Sequence, residues 1–561
     1  MVLEVYNAIF EDDRVNLSCE RGIYVMAHEV HAPTKKGILA NKTLWLCIGA
    51  AVFVIVGFLI PPPESLVKII SDQGFADQMI KWHLAHDVNE AARKTMIVLG
   101  IIPMAVIFFA TEALPIGLTG ILMPILAYFL GLLPKKEVGK SFAGDAPMFL
   151  LGVLAMGVVV VEVGLHKRLA TWILGWTRGF LVPVFVLCIS MSIIGSFISA
   201  HAMCAFMTPV IMAVYYGSVL AKSPSGQVEH DPALAKFLLF ALCFSLNVGG
   251  VGSPAAGGRN VLMMGFWEGY KVPMDFFTWM KYGFPLAPVL GLMVAVYMLV
   301  IFGRNIKTKD LTPGLAALKE ETKQMGKMKY EEWVTLGMLL LILLLWIFGG
   351  HGLGLGGPSL LALLIPVIFR ITPWQKILHG ISWDAWFMYC GALTLGELLK
   401  KSGAAMWLAS TFLDALKSVG IGQGLGLWIG LSAFSGVMTN FMSDAGVTAL
   451  LGPIVVPMSI MSGHPAEPWA SGLATAFATS FAHFLIVGTP NNAIVYALGT
   501  YPDTGKNAIE PVDFVKYGFV AWILSLVLVW VLGFMVLFPL VGFPEGLLET
   551  ARNVLMSGGA R

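Results

Sequence analysis

Charge is what this 561-residue chain has least of, since Asp, Glu, Lys and Arg make up only 12% of it. A soluble globular domain carries about twice that share, whereas 57% of this chain is hydrophobic. Its net charge of +2 provides no basic surface of the kind that binds nucleic acid, so no nucleic-acid partner is expected. Uncharged stretches such as 43–63 and 518–544 reach the roughly 20 residues that a transmembrane helix needs. The composition therefore predicts an all-α polytopic membrane protein in a lipid bilayer.

Cysteine is also scarce. The six cysteines show no paired spacing, and most lie in apolar segments. This pattern indicates thiols packed in the core rather than disulfides or metal ligands. The stretch His28-Glu29-Val30-His31 lacks the His-Glu-x-x-His spacing of a zinc protease. We therefore expect no metal centre and no cofactor.

What the chain does contain is a pattern that occurs twice. Asp145 opens a stretch whose glycines recur after Asp384, 239 residues further on. A second pair of blocks, around Ser199 and Ser443, is offset by 244 residues, and a third, later pair is offset by 232. Three pairs of blocks in one order and at nearly one offset are typical of secondary transporters built from two repeats.

The repeats and the segments between them divide the chain into six parts. These are a cytoplasmic N-terminal segment (1–42), a first transmembrane helix with an external connection (43–94), a first repeat (95–303), a cytoplasmic charged linker (304–330), a second repeat (331–541) and a C-terminal tail (542–561). The linker is the most basic loop, so the positive-inside rule places it, with the N-terminus, in the cytoplasm. Because one span precedes a repeat with an odd number of crossings, the second repeat is predicted to be inverted. About eleven transmembrane helices and two re-entrant hairpins fit the hydropathy.

Three isolated ionisable residues mark the candidate site. His201, Arg259 and Asp444 are each alone in a long apolar tract, in stretches of small and polar residues where a helix is expected to break. Broken helices at membrane depth are tolerated where they line a cavity, and their ends favour bound ions. A charge at mid-membrane costs at least about 2.5–3.5 kcal/mol and usually marks a functional site. The alternative is that Arg259 lies at an interface and that His201 is a neutral core histidine.

Four motifs carry a family resemblance. They are Thr111-Glu112-Ala113-Leu114-Pro115, Gly164-Leu165-His166-Lys167-Arg168, the Phe-x-x-Trp-x-x-x-Gly-x-Pro stretch from Phe276 to Pro285, and Val487-Gly488-Thr489-Pro490-Asn491-Asn492. With them the chain resembles the divalent anion:sodium symporter family, of the ion-transporter superfamily that also contains arsenite permeases. The resemblance covers most of residues 95–540. It implies an inverted-repeat transporter with two re-entrant hairpins that works as a homodimer through an elevator-type movement.

The departures from that family fall on its ligand-binding positions. Its Ser-Asn-Thr signature at each hairpin tip is replaced by Ser199-Ala200-His201 in the first copy and by Ser443-Asp444-Ala445 in the second. In the family, the Asn and Ser help to hold sodium, and the Asn and Thr contact the substrate carboxylate. Ala200 lacks the oxygen for the first sodium site, while His201 and Arg259 add positive charge near it. We therefore expect altered sodium dependence, with coupling to protons, to one cation or to substrate exchange.

The sequence thus predicts a secondary active transporter of small anions, either di- or tricarboxylates or sulfate-like ions, in the cell inner membrane. The Arg259 guanidinium can grip an oxyanion in bidentate fashion. The predicted substrate site comprises Ser199, His201, Arg259, Asn260, Ser443, Thr489, Pro490 and Asn492. Coupling to Na+ or H+ is assigned to Ser199, Ser443, Asp444 and His201.

Two alternatives stay open at this stage. An arsenite- or oxyanion-type permease of the same superfamily would use the same site. An intramembrane hydrolase would need Ser199 or Ser443, His201 and Asp444 within hydrogen-bonding distance of one another. Repeat symmetry gives no reason for such an enzyme, and we expect no enzymatic activity.

Overall fold

The computed structural model describes residues 41–175, 177–222, 229–316, 319, 326–501 and 503–556. These residues form helices and the turns between them, with an isolated bridge between Thr500 and Asn507. Within the described ranges, nine helices are long and apolar enough to cross a membrane, and four shorter apolar helices accompany them. The predicted all-α polytopic class is thereby confirmed, while the number of about eleven spans stays a prediction. Almost all of the predicted N-terminal segment, 1–42, lies outside the described residues.

The helices follow the predicted division of the chain. Before the first repeat lie α1 (Lys42–Val54, continued by a π-helix to Leu59), α2 (Glu64–Asp72) and α3 (Phe75–Lys81). The first repeat contains α4 (Val88–Thr111), α5 (Ile116–Phe129), α6 (Lys135–Ala143), α7 (Asp145–Val163), α8 (Leu165–Leu174), α9 (Leu181–Ile194), α10 (Ala200–Lys222), α11 (Pro232–Gly249), α12 (Gly258–Gly269), α13 (Phe276–Gly283) and α14 (Leu286–Phe302).

The second repeat and the tail complete the described fold. They contain α15 (Tyr330–Phe348), α16 (Gly350–Leu353), α17 (Gly356–Ser359), α18 (Leu361–Ile368), α19 (Trp374–Gly380), α20 (Trp383–Ser402), α21 (Ala404–Ser418), α22 (Gly424–Met438), α23 (Asp444–Ser462), α24 (Trp469–Ala478), α25 (Pro490–Leu498), α26 (Pro511–Asp513), α27 (Phe519–Leu528), α28 (Phe538–Val541) and α29 (Leu547–Met556). π-helical turns at Phe514–Gly518 and Val529–Leu537 join α26, α27 and α28.

The two repeats have the same order of elements. Each contains a helix pair, α7–α8 or α20–α21, that turns on a glycine in the left-handed region, Gly164 with φ 81° or Gly403 with φ 79°. Glycine is required there because a side chain would strain that backbone conformation. Each pair is followed by a helix, a break, a long helix and a second break that holds a 3-10 turn, Pro254–Ala256 or Ile486–Gly488. These pairs are the two predicted hairpins, whose re-entrant placement in the membrane stays a prediction.

Each hairpin packs against a helix of the other repeat. Helix α5 lies along α20, and α17 and α18 make the equivalent contact with α7. The approach is close because small residues line it: a Cβ on Gly120 would lie 2.6 Å from the Cα of Met388. Asp145 accepts hydrogen bonds from the backbone N–H groups of Leu355 and Gly356, at 2.8 and 2.9 Å. This carboxylate therefore caps α17 and ties the first hairpin to the second repeat.

The cysteines of the described residues are free thiols, as the sequence predicts. Cys188, Cys204, Cys243 and Cys390 are buried, and Cys47 is exposed. The sixth, Cys19, lies outside the described residues. The described cysteines therefore behave mostly as small core residues.

The glycine contact between α5 and α20 yields a stability prediction. We expect Gly120→Ala to lower the melting temperature of the detergent-purified protein, because the new Cβ would lie 2.5 Å from the carbonyl oxygen of Phe387. Overpacking of this kind costs about 1–3 kcal/mol. The control is Gly337→Ala on α15, whose Cβ would meet nothing within 4 Å. Equal melting temperatures for the two variants would contradict the packing of α5 on α20.

Candidate functional site

Two broken segments form the framework of the site, and equivalent hydrogen bonds close both. In the first repeat, the side-chain amide of Asn260 donates to the carbonyl oxygens of Gly250 and Ser253, at 2.9 and 2.7 Å. In the second, Asn492 donates to the two carbonyl oxygens 232 positions further on, at 2.7 and 2.8 Å. Each asparagine thus supplies donors to carbonyl groups that a broken helix leaves without backbone partners.

These bonds give Asn260 and Asn492 a structural role that the sequence analysis did not predict. The sequence assigns both to the substrate, but each amide nitrogen donates to backbone carbonyls. Oδ1 of Asn492 accepts hydrogen bonds from the thiol of Cys243 at 3.1 Å and from Nδ2 of Asn247 at 3.2 Å. Oδ1 of Asn260 is buried and has no hydrogen-bond partner among the described residues. It is the one polar atom of the two side chains that is left for a ligand.

The two helix tips are each capped by a predicted serine. Ser443 accepts a hydrogen bond at Oγ from the backbone N–H of Gly446, 3.2 Å away, at the start of α23. Ser199 accepts one from the N–H of Ala202 at 3.5 Å, at the start of α10. Serine is among the preferred residues for this position because its oxygen satisfies an unpaired helix N–H group. Both oxygens act as acceptors here, which leaves each hydroxyl proton for a ligand.

The first half-site is an ion pair between the repeats. Arg259, in the first turn of α12, donates from Nη1 to a carboxylate oxygen of Asp444, the first residue of α23. Its Nε donates to Oγ of Ser480 at 2.9 Å. The side chains are 6% and 18% exposed. Removing either charge would leave the other buried without its partner, which is costly in so dry a place.

Glycines make room for the guanidinium. A Cβ on Gly257 would lie 2.7 Å from Nη1 of Arg259, and one on Gly250 would overlap Nη2. A Cβ on Gly258 would collide with the hydroxyl group of Tyr389, which α20 brings to this place. The glycine-rich segment before α12 therefore admits both an arginine from its own repeat and a tyrosine from the other hairpin.

The second half-site, His201–Asn491, lies at the equivalent place in the repeat. Nδ1 of His201, in the first turn of α10, lies 2.8 Å from Oδ1 of Asn491, in the first turn of α25. Asn491 follows Arg259 by the repeat offset of 232, and His201 aligns with the residue after Asp444. Helix α10 packs on α25 as α23 packs on α12. Each half-site therefore joins the helix tip of one repeat to the short helix of the other.

The three isolated ionisable residues are thus divided between two half-sites. Arg259 is paired with Asp444, whereas His201 bonds Asn491. A serine–histidine–aspartate arrangement is not what these contacts form, because Arg259 holds the carboxylate and Asn491 holds the imidazole. Of the other predicted residues, Thr489 is buried just before α25, and Pro490 is its exposed first residue.

Several residues of the site escaped prediction. Asn491 could have been found, because the repeat offset aligns it with Arg259. Ser480, Tyr389 and Asn247 carry no comparable signal, since none is an isolated charge and none aligns with a polar residue that had been singled out. Their part in the site depends on packing between the repeats.

The chain is similar to known membrane transporters. Residues 106–476 match the family described as citrate transporter. The sodium-dependent dicarboxylate transporter SdcS of Staphylococcus saprophyticus is 26% identical over 472 residues, which are 80% of this chain and 87% of that protein. The sodium-dependent high-affinity dicarboxylate transporter 3 of Caenorhabditis elegans is 24% identical over 448 residues, 70% of this chain and 76% of that protein. The crystal structure of the YdaH transporter of Alcanivorax borkumensis shares the fold, with a TM-score of 0.51 and 12% identity, over 78% of this chain and 98% of that one.

The buried ion pair yields a second stability prediction. We expect Arg259→Ala to destabilise the protein by about 3–5 kcal/mol, because Asp444 would stay buried without its partner. Adding Asp444→Asn should recover part of that loss, since a neutral amide costs less to bury. Melting temperatures of the single and double variants form a double-mutant cycle.

The control for this cycle is the exposed pair of Lys140 and Glu137, 2.8 Å apart, in which the lysine side chain is 60% exposed. Replacing Lys140 by Ala should change stability by only about 0.2–1 kcal/mol. Fully additive effects of the Arg259 and Asp444 substitutions would contradict the buried pair.

Proposed function

We propose that this chain, which belongs to the citrate transporter family, moves small di- or tricarboxylates across the membrane by secondary active transport. It is a multi-pass membrane transport protein and not an enzyme. The names of its relatives support a carboxylate substrate. The observation that carries a mechanism is the buried pair of Arg259 and Asp444.

The wider arrangement in this proposal follows the sequence. The protein lies in the inner membrane as a homodimer, with its N-terminus and the linker 304–330 in the cytoplasm. The two repeats are inverted relative to each other, both hairpins are re-entrant, and an elevator-type movement exposes the site to each side in turn. The matching order of elements in the two repeats supports this arrangement.

A substrate carboxylate reaches Arg259 by replacing Asp444. The guanidinium already donates from Nε to Ser480 and from Nη1 to Asp444, and its Nη2 is packed against Gly250. Exchanging one carboxylate for another at Nη1 keeps the bond but leaves Asp444 ionised, buried and unpaired. That state is costly. Anion binding is therefore linked to the arrival of a cation at Asp444.

A proton is the cation that fits this place best. It needs a single lone pair, whereas Na+ needs a shell of several oxygens. The nearby side-chain oxygens are engaged: Oδ1 of Asp444 accepts the N–H of Ala445 at 2.6 Å, and Oγ of Ser480 accepts from Arg259. By linkage, proton and anion each raise the affinity of the carrier for the other by the same factor. Sodium at Asp444 is the alternative that the names of the relatives favour.

Charge balance then makes the coupling obligatory. The empty carrier, with Asp444 ionised on Arg259, is neutral at this pair, and so is the carrier with one carboxylate on Arg259 and one proton on Asp444. A carrier that holds only the proton has an excess positive charge, and one that holds only the anion has an excess negative charge. Moving unbalanced charge through the membrane interior is unfavourable. The carrier therefore moves when empty or when fully loaded.

We expect Asp444→Asn to uncouple transport from protons, because the amide stands in permanently for the protonated carboxyl. In wild-type proteoliposomes, the KM for radiolabelled succinate should fall as the pH falls, since protonation of Asp444 frees Arg259. In the variant, this contribution should be lost, and uptake should no longer concentrate succinate against a pH gradient.

The matched control is Asp503→Asn, because this carboxylate bonds His230 and Tyr216 away from the two breaks and should leave proton coupling unchanged. Retention of full pH coupling in Asp444→Asn would contradict the mechanism. A wild-type protein that responds to a sodium gradient and not to pH would assign the place of the proton to Na+. Uptake of arsenite or sulfate without uptake of carboxylates would favour an oxyanion permease.

A further inference from the structure

A directed chain of hydrogen bonds ends at His201. Nδ2 of Asn492 donates to two backbone carbonyls, which can only accept, so its Oδ1 is fixed as an acceptor. That oxygen accepts from Nδ2 of Asn247 at 3.2 Å. Oδ1 of Asn247 in turn accepts from Nδ2 of Asn491 at 2.7 Å. Asn491 therefore presents an oxygen to Nδ1 of His201, at 2.8 Å.

This chain determines which nitrogen of His201 titrates. Because Asn491 presents an acceptor, Nδ1 carries a proton in the neutral ring as well as in the charged ring. Only Nε2 gains or loses a proton. The residue is exposed, and no residue in the described part of the chain hydrogen-bonds Nε2. When protonated, the ring therefore offers a positively charged N–H group to a ligand.

The far end of the chain keeps the asparagines in place. His483 is fully buried, and its Nδ1 lies 3.4 Å from Nδ2 of Asn247. Its Nε2 lies 3.3 Å from Oγ of Ser525, whose hydroxyl donates to the carbonyl of Ala521 on the same helix. A buried polar network with its members satisfied is rigid. The orientation of His201 is thus held by the interior of the protein.

Repeat symmetry gives His201 the place of a second anion contact. The pair His201–Asn491 is the equivalent of Asp444–Arg259, with the cationic group on the helix tip instead of on the short helix. His201 also lies in the first turn of α10, where unpaired backbone N–H groups favour negative charge. One half-site therefore has a permanent cation, and the other has a cation that depends on pH.

We propose that protonated His201 binds one carboxylate group of the substrate while Arg259 binds another. This inference rests on the proposed function and adds two properties to it. The preferred substrates are dianions with two separated carboxylate groups, and each dianion moves with two protons, one on Asp444 and one on Nε2 of His201. A monocarboxylate uses Arg259 alone and moves with one proton.

The titratable neighbours of His201 are compatible with this role. Among the described residues, those facing this end of α10 are Cys204, Cys243 and His166. The thiol of Cys204 donates to the backbone oxygen of Asn491 at 3.5 Å, and that of Cys243 donates to Oδ1 of Asn492. His166, on α8, contacts α10 through the ring of Phe206 and bonds the carbonyl of Val160 by Nδ1. The two thiols are neutral donors, and the His166 ring points its Nδ1 away from His201.

The test compares succinate with butyrate, a monocarboxylate of the same length, in uptake by reconstituted wild type, His201→Gln, Asp444→Asn and the double variant. Each coupled proton adds about one unit to the slope of log KM against pH, a tenfold change per pH unit. For succinate, we expect a slope of about two in wild type, about one in each single variant and none in the double variant. For butyrate, the slope should be about one in wild type and in His201→Gln, and absent wherever Asp444 is replaced.

A second substitution, His201→Arg, protects the test against a folding defect in His201→Gln. A permanent cation should keep the wild-type KM for succinate at low pH and lower the slope by about one unit. The control is His230→Gln, a histidine that bonds Asp503 at 2.8 Å away from the breaks and should keep both wild-type slopes. A wild-type succinate slope in either His201 variant would overturn this inference alone. A wild-type protein that transports neither acid at any pH would overturn the proposed function as well.

Discussion

The constraint on which the site depends is that a buried arginine must be neutralised inside the membrane. Arg259 is held by Asp444 and Ser480, both from the other repeat, and it fits only because Gly250 and Gly257 have no side chains. Burying such an ion without a partner costs several kcal/mol. The pair therefore ties the two repeats together, and any substrate anion has to compete with Asp444 for the guanidinium.

A duplicated architecture can still form an asymmetric site, because its framework and its ligand-facing residues answer to different requirements. Carbonyl groups in a broken helix need donors whatever the substrate is. Asn260 and Asn492 therefore make equivalent bonds in both repeats. The residues at the half-sites are free to differ, so one repeat contributes a permanent cation and the other a histidine. Coupling to protons arises from this difference.

The sequence was sufficient for the class of protein, the repeat and the location of the site. Apolar composition predicted the helices, and the repeat offsets aligned the breaks to the residue. The role of individual side chains was harder to predict, because a sequence does not show which neighbour an amide faces: Asn260 and Asn492 bond the backbone. The contact of α12 with α23, which joins Arg259 to Asp444, and the approach of Tyr389 are long-range packing events. No local pattern encodes them.

Exchange of Asp444 for the substrate on Arg259 can be observed directly by infrared difference spectroscopy of the purified protein. Spectra recorded with and without succinate separate ionised from protonated carboxyl groups, and the Asp444→Asn variant identifies the band of this residue. We predict that succinate binding removes carboxylate absorption from Asp444 and creates absorption of a protonated carboxyl group, and that the variant lacks both changes. Succinate binding with Asp444 still ionised would contradict the exchange.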